Sequence, residues 1–495
     1  MLPVLPGVAS PPESGPADDC CEACAATRVA AHVDVPQHAL IATPATRRGP
    51  LPIFEPPDQL RVGISRSDDR RIAFGGLAIS GAYLAAAGLS LFLPPPNRLG
   101  TWLPAHLALA GAVTTAIAAL LPFFTAALAI APPARPAVRI GGIALVALGA
   151  LAAMVAYGQA AGQAAPATLA GGTFLAGLGL VGMAAFVPIR GALGPRRPIV
   201  ERAYALALAN VAVGVTIATL FVGGNLAVET AWGALKPAHA WLNLVGFAGL
   251  VIVATLLHLA PTVAGARLRS RTSGRLAVVG LALGAPVVAA GYIMGMDVVA
   301  RTGAIVVLAS ALGTAAHGAA VQFDRGRGPW TTDPGWHRLA TVALFAGQGW
   351  LGLGLAIAAS RVLIFGAAPV GWSLVLIVGP LVVGGVAQIL VGAMTHLLPT
   401  IGPGDPVRHA KQRRLMGRGA TVRLVLLNAG AAFVTLGFGP MAALDAGAAR
   451  DTLVGLGLGC AALAMGASLV LFAAAARRGP VVRYVDYGTL PAGRV

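Results

Sequence analysis

Twelve long apolar segments constrain the fold of this chain more than any other feature of its sequence. Crossing the hydrocarbon core of a bilayer takes about 20 residues of an α-helix, and each segment is at least that long. Mean hydropathy is +0.79 and only 11% of the residues are charged, well below the charge content of soluble proteins. The sequence therefore predicts an all-α polytopic membrane protein. The predicted transmembrane helices are 72–93, 102–130, 138–160, 168–190, 202–224, 237–262, 276–297, 302–322, 338–360, 372–398, 422–444 and 450–476.

The basic residues between these segments predict the orientation of the chain. With the N-terminus in the cytoplasm, 30 of the 35 lysines and arginines fall on the inner side and five fall outside. That asymmetry is the positive-inside pattern, and it predicts a multi-pass protein of the bacterial inner (plasma) membrane with both termini cytoplasmic. The net charge of +17 is explained by this pattern and by anionic lipid at the inner surface. No nucleic-acid-binding motif is present, so the lipid bilayer is the expected partner. The five outer residues are Arg98, Lys236, Arg301, Arg361 and Arg450.

The first 70 residues are predicted to be a region apart. They are rich in proline, alanine and charge and could not bury a core of their own, which predicts a disordered cytosolic tail, a transmembrane domain at 71–480 and a short cytosolic tail at 481–495. Three of the four cysteines, Cys20, Cys21 and Cys24, lie in this region. The spacing of Cys21 and Cys24 would let two thiolates bind one soft metal ion. A single such pair is also compatible with reduced cysteines that bind nothing.

A short motif occurs twice, about 140 residues apart: 258–263 (HLAPTV) and 396–401 (HLLPTI). Each copy closes an apolar segment, so His258 and His396 are expected at matching depth on the cytosolic side. The other histidines of the apolar segments extend this pattern into two groups. The outer pair is His106 and His239, and the inner set is His258, His317, His337 and His396.

Imidazole chemistry suggests what these histidines do. A neutral imidazole is the common axial ligand of haem iron and a common copper ligand, and it brings no charge into the membrane. Thr255 and Thr262 share a helical face with His258, and Gln388 shares one with His396, so polar partners are available. Alternatively, a histidine near a helix end can extend to the interface, and the proline can simply end the helix. Recurrence of the motif favours bound haem b, copper or both, and the near absence of carboxylates within the segments argues against a proton pump or proton-coupled carrier.

The two motif copies end the sixth and tenth helices, four helices apart, and 121–125 (LPFFT) occupies a comparable place in the second helix. This period predicts three pseudo-repeated arcs of four helices. In this respect the chain resembles the haem-copper oxidase superfamily, and more closely its NnrS-like branch of haem- and copper-containing membrane proteins linked to nitric oxide. The local likeness is in 106–111 (HLALAG), which leads to Pro122 and Thr125, and in 239–246 (HAWLNLVG).

The resemblance carries over to individual residues only in part. It implies that His106 matches the low-spin haem ligand at the outer start of the second helix, and that His239 matches a copper ligand in the sixth. The seventh helix lacks the family's histidine pair, and the tenth lacks its His-x-His. The resemblance therefore implies no standard binuclear oxygen-reducing site. A relative of this kind has lost that chemistry or has moved its metal inward, between the sixth, eighth, ninth and tenth helices.

The expected function is that of a haem- or copper-binding membrane protein with a redox role, or a role in the response to nitric oxide or copper. If it is an enzyme, it is a membrane oxidoreductase, with quinol or another redox partner as the electron source. The alternative is a transporter or assembly factor for copper or a small molecule, with the cysteine region as its cytosolic receiver. A structural membrane subunit without a cofactor is a third reading. The sequence does not predict the oligomeric state.

Overall fold

The computed structural model describes residues 57–192, 198–266, 271–325, 335–401, 406–444 and 447–477. Cys20, Cys21 and Cys24 lie outside these ranges, and so do residues 1–56 of the predicted N-terminal tail and the whole of the predicted C-terminal tail. Residues 57–70, which the sequence assigns to the disordered tail, are instead helical and belong to the helix Pro57–Ser90. The described residues form helices and turns and contain no β-strand longer than an isolated bridge. They belong to one structural unit, Pro57–Val495.

Twelve helices of the described chain are long and apolar enough to cross a membrane, as the sequence predicts. Their ends agree with the predicted ends to within five residues. The helices are α1 (Asp68–Ser90), α2 (Trp102–Ala129), α3 (Pro136–Gln159), α4 (Ala164–Gly191), α5 (Pro198–Val222), α6 (Trp232–Ala264), α7 (Thr272–Met294), α8 (Asp297–Asp324), α9 (His337–Phe365), α10 (Pro369–Thr400), α11 (Ala420–Ala442) and α12 (Gly447–Arg477).

Helix packing repeats every four helices. In each of the groups α1–α4, α5–α8 and α9–α12, the first helix packs on the second and third, and the second packs on the fourth. The groups meet where α4 packs on α5 and α8 on α9, and α12 contacts α1. The fold is therefore an all-α bundle of three four-helix arcs, in agreement with the period of the sequence motif.

The second helix of each arc has a common architecture. α2, α6 and α10 are the most enclosed helices of their arcs, and each contains a π-helical segment: Leu107–Val113, Trp241–Gly249 and Val378–Ala387. A π segment shifts its hydrogen bonds from the i−4 to the i−5 carbonyl, so side chains on its two sides are turned relative to one another. Such segments are frequent at functional sites in helical proteins.

The proline of the repeated motif does not by itself end the sixth helix. α6 continues past Pro261 to Ala264 and ends where Gly265 takes a left-handed conformation, with φ of 64°. Glycine favours this conformation because it has no Cβ. In α10, Pro399 also lies inside the helix, which ends one residue later at Thr400.

Candidate functional site

The histidines fall into two groups along the bundle axis. Short connections make consecutive helices antiparallel, so all odd-numbered helices begin at one face, called here the N-terminal face, and all even-numbered helices begin at the opposite face. His106 and His239 lie near the starts of α2 and α6, at the opposite face. The other four lie in the half nearer the N-terminal face: His258, His317, His337 and His396.

His106 is held by its own helix and by α3. Its Nδ1 lies 2.8 Å from the carbonyl oxygen of Trp102, so this nitrogen carries the proton and Nε2 keeps its lone pair. The Trp102 ring stacks on the imidazole at 4.1 Å between centroids, and Tyr157 of α3 stacks on the other side of Trp102, also at 4.1 Å. The π segment of α2 starts at the next residue, Leu107.

His239 is held in the same manner by α5. Its Nδ1 lies 2.9 Å from the carbonyl oxygen of Gly214, which again fixes the proton on Nδ1. The Asn243 amide nitrogen lies 3.0 Å from Nδ1 and 3.4 Å from Nε2. Because Nδ1 is already a donor, the amide can donate only to Nε2, and a metal ion at Nε2 would replace that contact. A Cβ at Gly214 would clash with Asn243, so glycine is what lets α5 approach this closely.

His106 and His239 lie at the same end of their helices, near the starts of α2 and α6. They are close enough for a charge on His239 to act on His106. In the described part of the chain, α2 and α6 are not among the helix pairs whose backbones pack closely. The two histidines of the predicted outer pair therefore lie at the same depth and within electrostatic range of each other.

A second pair lies near the N-terminal face. The rings of His337, at the start of α9, and His396, near the end of α10, are 6.4 Å apart between centroids and inclined by 51°. His337 is only 4% exposed, and the buried Nδ1 of His396 has no hydrogen-bond partner among the described residues. Arg413 of the connection after α10 lies close enough to act electrostatically on both rings. A fixed cation beside the pair opposes the binding of a highly charged metal ion.

Gln388 is the most isolated polar side chain of α10. It is fully buried, and neither its amide oxygen nor its amide nitrogen has a hydrogen-bond partner in the described structure. It directly follows the π segment and lies about midway along the helix. Thr395, the residue before His396, donates to the carbonyl of Val391 at 2.7 Å. Buried amides without partners are costly, which marks Gln388 as a position where a ligand or water can bind.

His317 lies beside a small cavity between α6, α7, α8 and α9. The cavity has a volume of about 10 Å³, which is room for about one water molecule. Thr314, His317 and Gln348 supply its polar lining. Gly274 of α7 permits the tight packing, because a Cβ there would lie 3.1 Å from His317 Nδ1.

His258 has different surroundings from His396. Thr255, one turn earlier on the same face, bonds the hydroxyl of Tyr204 in α5 at 2.9 Å. Thr262, one turn later, is exposed and donates to the carbonyl of His258 at 2.7 Å. This face of α6 is therefore turned towards α5, whereas the described neighbours of His396 are on α9 and in the connection after α10.

Several site features were not predicted from the sequence. Asn243 could have been found, because it lies four residues after His239 and therefore on the same face. Trp102 could have been found in the same way, because it lies four residues before His106. The contact of Trp102 with Tyr157, the partnership of His337 with Arg413, and the π segments depend on tertiary packing and have no local sequence signal.

Among the described residues, no group of three or more histidine, cysteine, aspartate or glutamate side chains is arranged to hold a metal ion. Any metal at either pair would therefore be bound by two imidazoles together with other ligands. Comparison of the chain with protein-family models and with curated proteins finds no match.

Proposed function

We propose that this protein is a haem- or copper-binding integral membrane protein related to the haem-copper oxidases, nearest to their NnrS-like branch. Its role is in redox chemistry or in the response to nitric oxide or copper, and it has no standard binuclear oxygen-reducing site. It resides in the bacterial inner membrane with both termini in the cytoplasm. The oppositely placed histidine pairs and the three-arc fold support this proposal.

The outer pair is the observation that carries the proposal. Metal-bound histidines almost always donate their second ring nitrogen to a carbonyl or carboxylate, which fixes the tautomer and the ring orientation. His106 and His239 each do so, to Trp102 and Gly214, and each keeps Nε2 as the ligating nitrogen. Both sit at the entrance of a π segment in a central helix. Two imidazoles at the same depth, each with its proton held on Nδ1, are suited to act as an axial haem ligand or to bind copper.

The inner pair fits a metal ion by its ring separation. With metal–nitrogen distances of about 2.0–2.1 Å, two imidazoles on one ion place their centroids roughly 5–6.5 Å apart, and His337 and His396 are at 6.4 Å. The positive charge of Arg413 repels a divalent ion more strongly than a singly charged one. Cu⁺ is therefore better suited to this pair than a divalent metal ion. Haem iron or copper, when bound, would supply one-electron chemistry or a binding position for a small ligand.

The protein's own residues then have distinct tasks. Trp102 and Gly214 hold the protonated nitrogens of the outer histidines through their carbonyls, and the Trp102–Tyr157 stack restricts rotation of His106. His106 and His239 are themselves half-buried, beside the core residues Leu107 and Ala238. The apolar side chains around such a site influence solvent access and the local dielectric.

A transporter or assembly factor for copper is the second candidate. The observation that favours it is the position of Gln388, a buried amide without hydrogen-bond partners about halfway between the two histidine pairs. A polar group at that depth would give a cation an intermediate binding position between the faces.

An absorption spectrum of the purified full-length protein, reduced minus oxidised, together with metal analysis distinguishes these functions. Soret and α bands with iron would support the haem-binding function. Copper without haem, accompanied by copper uptake into proteoliposomes, would support the transporter. Protein that is folded but contains neither group, even after expression with added haem and copper, would contradict both.

A further inference from the structure

The connection between α10 and α11 contains a basic surface that the histidine pairs do not involve. The short helix Pro406–Met416 exposes Lys411 and Arg414, and the turn after it exposes Arg418. We call these three residues the basic stripe. From Pro406 to Ala420 the sequence contains no aspartate or glutamate, and Asp405, directly before this helix, is the one acidic residue of the connection. The sequence of the connection is therefore strongly basic.

The side of this helix that faces away from the stripe is firmly attached to the bundle. Gln412 is fully buried and donates to the carbonyl of Ala475 in α12 at 3.0 Å. Leu415 and Met416 pack in a core cluster with residues of α9, α10 and α12. The helix therefore holds its exposed cations at fixed positions at the N-terminal face.

A buried arginine completes the attachment. Arg423 of α11 is 3% exposed; it donates to the carbonyl of Met416 and, at 2.9 Å, to that of Arg418. These carbonyls belong to the end of the short helix and to the following turn, where backbone acceptors lack intrahelical partners. Ser468 of α12 lies 3.2 Å from the same guanidinium. Burying a cation is costly. The use of a buried arginine here indicates that the protein requires the connection to be held in this position.

Two acidic groups of α1 at this face are already paired. Asp69 of α1 forms an ion pair with the buried Arg139, and Asp68 lies 3.9 Å from Arg71. The end of α12 adds the exposed cation Arg477 at this face. The local field around the stripe is therefore positive at the level where helices leave the membrane.

We infer that the basic stripe is a binding site for the headgroup of an anionic phospholipid in the leaflet at the N-terminal face. Clustered lysines and arginines beside transmembrane helices attract anionic lipid, and arginine matches phosphate through bidentate hydrogen bonds. The backbone of the helix is already anchored, so binding orders only the exposed side chains of the stripe. This inference is independent of any haem or copper.

Binding can be measured by native mass spectrometry of the full-length protein in detergent, titrated with phosphatidylglycerol and separately with phosphatidylcholine. We expect tighter binding of phosphatidylglycerol. Replacing all three stripe residues by glutamine (Lys411→Gln, Arg414→Gln, Arg418→Gln) should weaken it roughly a hundredfold, given the usual contribution of each basic residue. The single variant Lys411→Gln should lose part of the affinity for phosphatidylglycerol. It replaces the triple variant in the measurement if the triple variant does not fold.

The matched control removes one lysine and two arginines that are exposed at the opposite face: Lys236→Gln, Arg301→Gln and Arg450→Gln. It changes the net charge equally and should leave phosphatidylglycerol binding unchanged. Equal weakening in both triple variants would show that only total charge matters and would overturn the inference. So would a lack of preference for phosphatidylglycerol over phosphatidylcholine, or displacement of the lipid by an equal concentration of glycerol 3-phosphate, which would indicate a site for free phosphate.

Discussion

At the scale of single residues, this protein separates two kinds of polar group within the membrane. Some are fully paired, such as Asn210, which donates to the carbonyl of Gly246 at 2.8 Å. Others are buried with polar atoms that have no described partner, among them Gln388 and the Nδ1 of His396. The first kind holds helices together. The second is costly to keep in hydrocarbon, and a role in binding a ligand would explain why the protein keeps such groups.

The ion pair between Asp69 and Arg139 gives a prediction about stability. Arg139 is 4% exposed, so Asp69→Asn would leave a buried cation uncompensated, which costs about 3–5 kcal/mol. We expect a marked fall in the melting temperature of the detergent-solubilised protein. Asp68→Asn is the matched control, because the ion pair of Asp68 with Arg71 is exposed and contributes only about 0–1 kcal/mol to the free energy of unfolding. Similar melting temperatures for the two variants would contradict this account of α1 and α3.

The inner histidines give a second prediction at this scale. The sequence motif predicts that His258 and His396 are both ligands or line a cofactor cavity, so His258→Ala and His396→Ala should each reduce metal content or shift the optical spectrum. Both proteins should remain monodisperse. An effect of His396→Ala alone would assign the inner site to the His337–His396 pair. Full cofactor content in both variants would reduce the repeated motif to a feature of the helix ends.

At the scale of elements, the π segments of α2, α6 and α10 determine the direction in which the side chains before each segment point. The wider turn leaves backbone carbonyls that side chains then satisfy: Thr114 donates to Leu109 at 3.1 Å, and Asn210 to Gly246. His106 and His239 come just before their π segments. Each additional residue in a helix turns the side chains by about 100° relative to the other end, so the outer pair depends on these segments.

Deleting Ala110 from the π segment of α2 tests this dependence. The deletion should restore α-helical hydrogen bonding and turn His106 away from His239, with loss of the outer cofactor signal from the absorption spectrum. Deleting Ala131 from the connection after α2 is the control, since it shortens the chain equally without changing the phase of the helix. An unchanged spectrum after the Ala110 deletion would show that the π segment does not position His106.

The twelve helices could be predicted because the bilayer imposes a length and a composition on each of them. The three arcs could be predicted as well, because the motifs at 258–263 and 396–401 repeat after four helices. The sequence predicts the depth of each histidine in the membrane, but it does not predict which inner histidines come together. Which imidazole meets which depends on helix rotation, and the π segments that set this rotation carry no distinctive residues. Arg413 lies near the inner pair because of the way the connection after α10 folds. Hydrophobic periodicity does not encode the fold of a connection.

At the scale of the whole molecule, the three arcs place one enclosed helix each at the centre and leave the others to face lipid. Exposed apolar side chains such as Leu148, Leu169 and Leu283 lie on the outer helices, as expected for a surface in contact with hydrocarbon. Histidine pairs at both ends of the central helices make the two faces chemically distinct. The basic residues make them electrostatically distinct as well.

The charge asymmetry predicts the orientation. A cysteine introduced by Glu229→Cys, between α5 and α6, should react with a membrane-impermeant reagent added to intact cells, whereas one introduced by Thr272→Cys, at the start of α7, should react only after permeabilisation. The reason is that the arginines at 267–275 favour a cytoplasmic location for the connection between α6 and α7. Native cysteines are first replaced by serine. Outside labelling of Thr272→Cys would reverse the orientation and the assignment of outer and inner histidine pairs.

The most direct test of the central claim is the reduced-minus-oxidised spectrum and the metal content of His106→Ala and His239→Ala beside the unaltered protein. We predict that each variant loses or shifts the haem bands, or loses the copper, of the outer site while remaining folded by size-exclusion chromatography. His409→Ala, which removes a histidine outside both pairs, should retain the spectrum and metal content of the unaltered protein. Full and unchanged cofactor content in both His106→Ala and His239→Ala would contradict the assignment of the outer pair as a cofactor site.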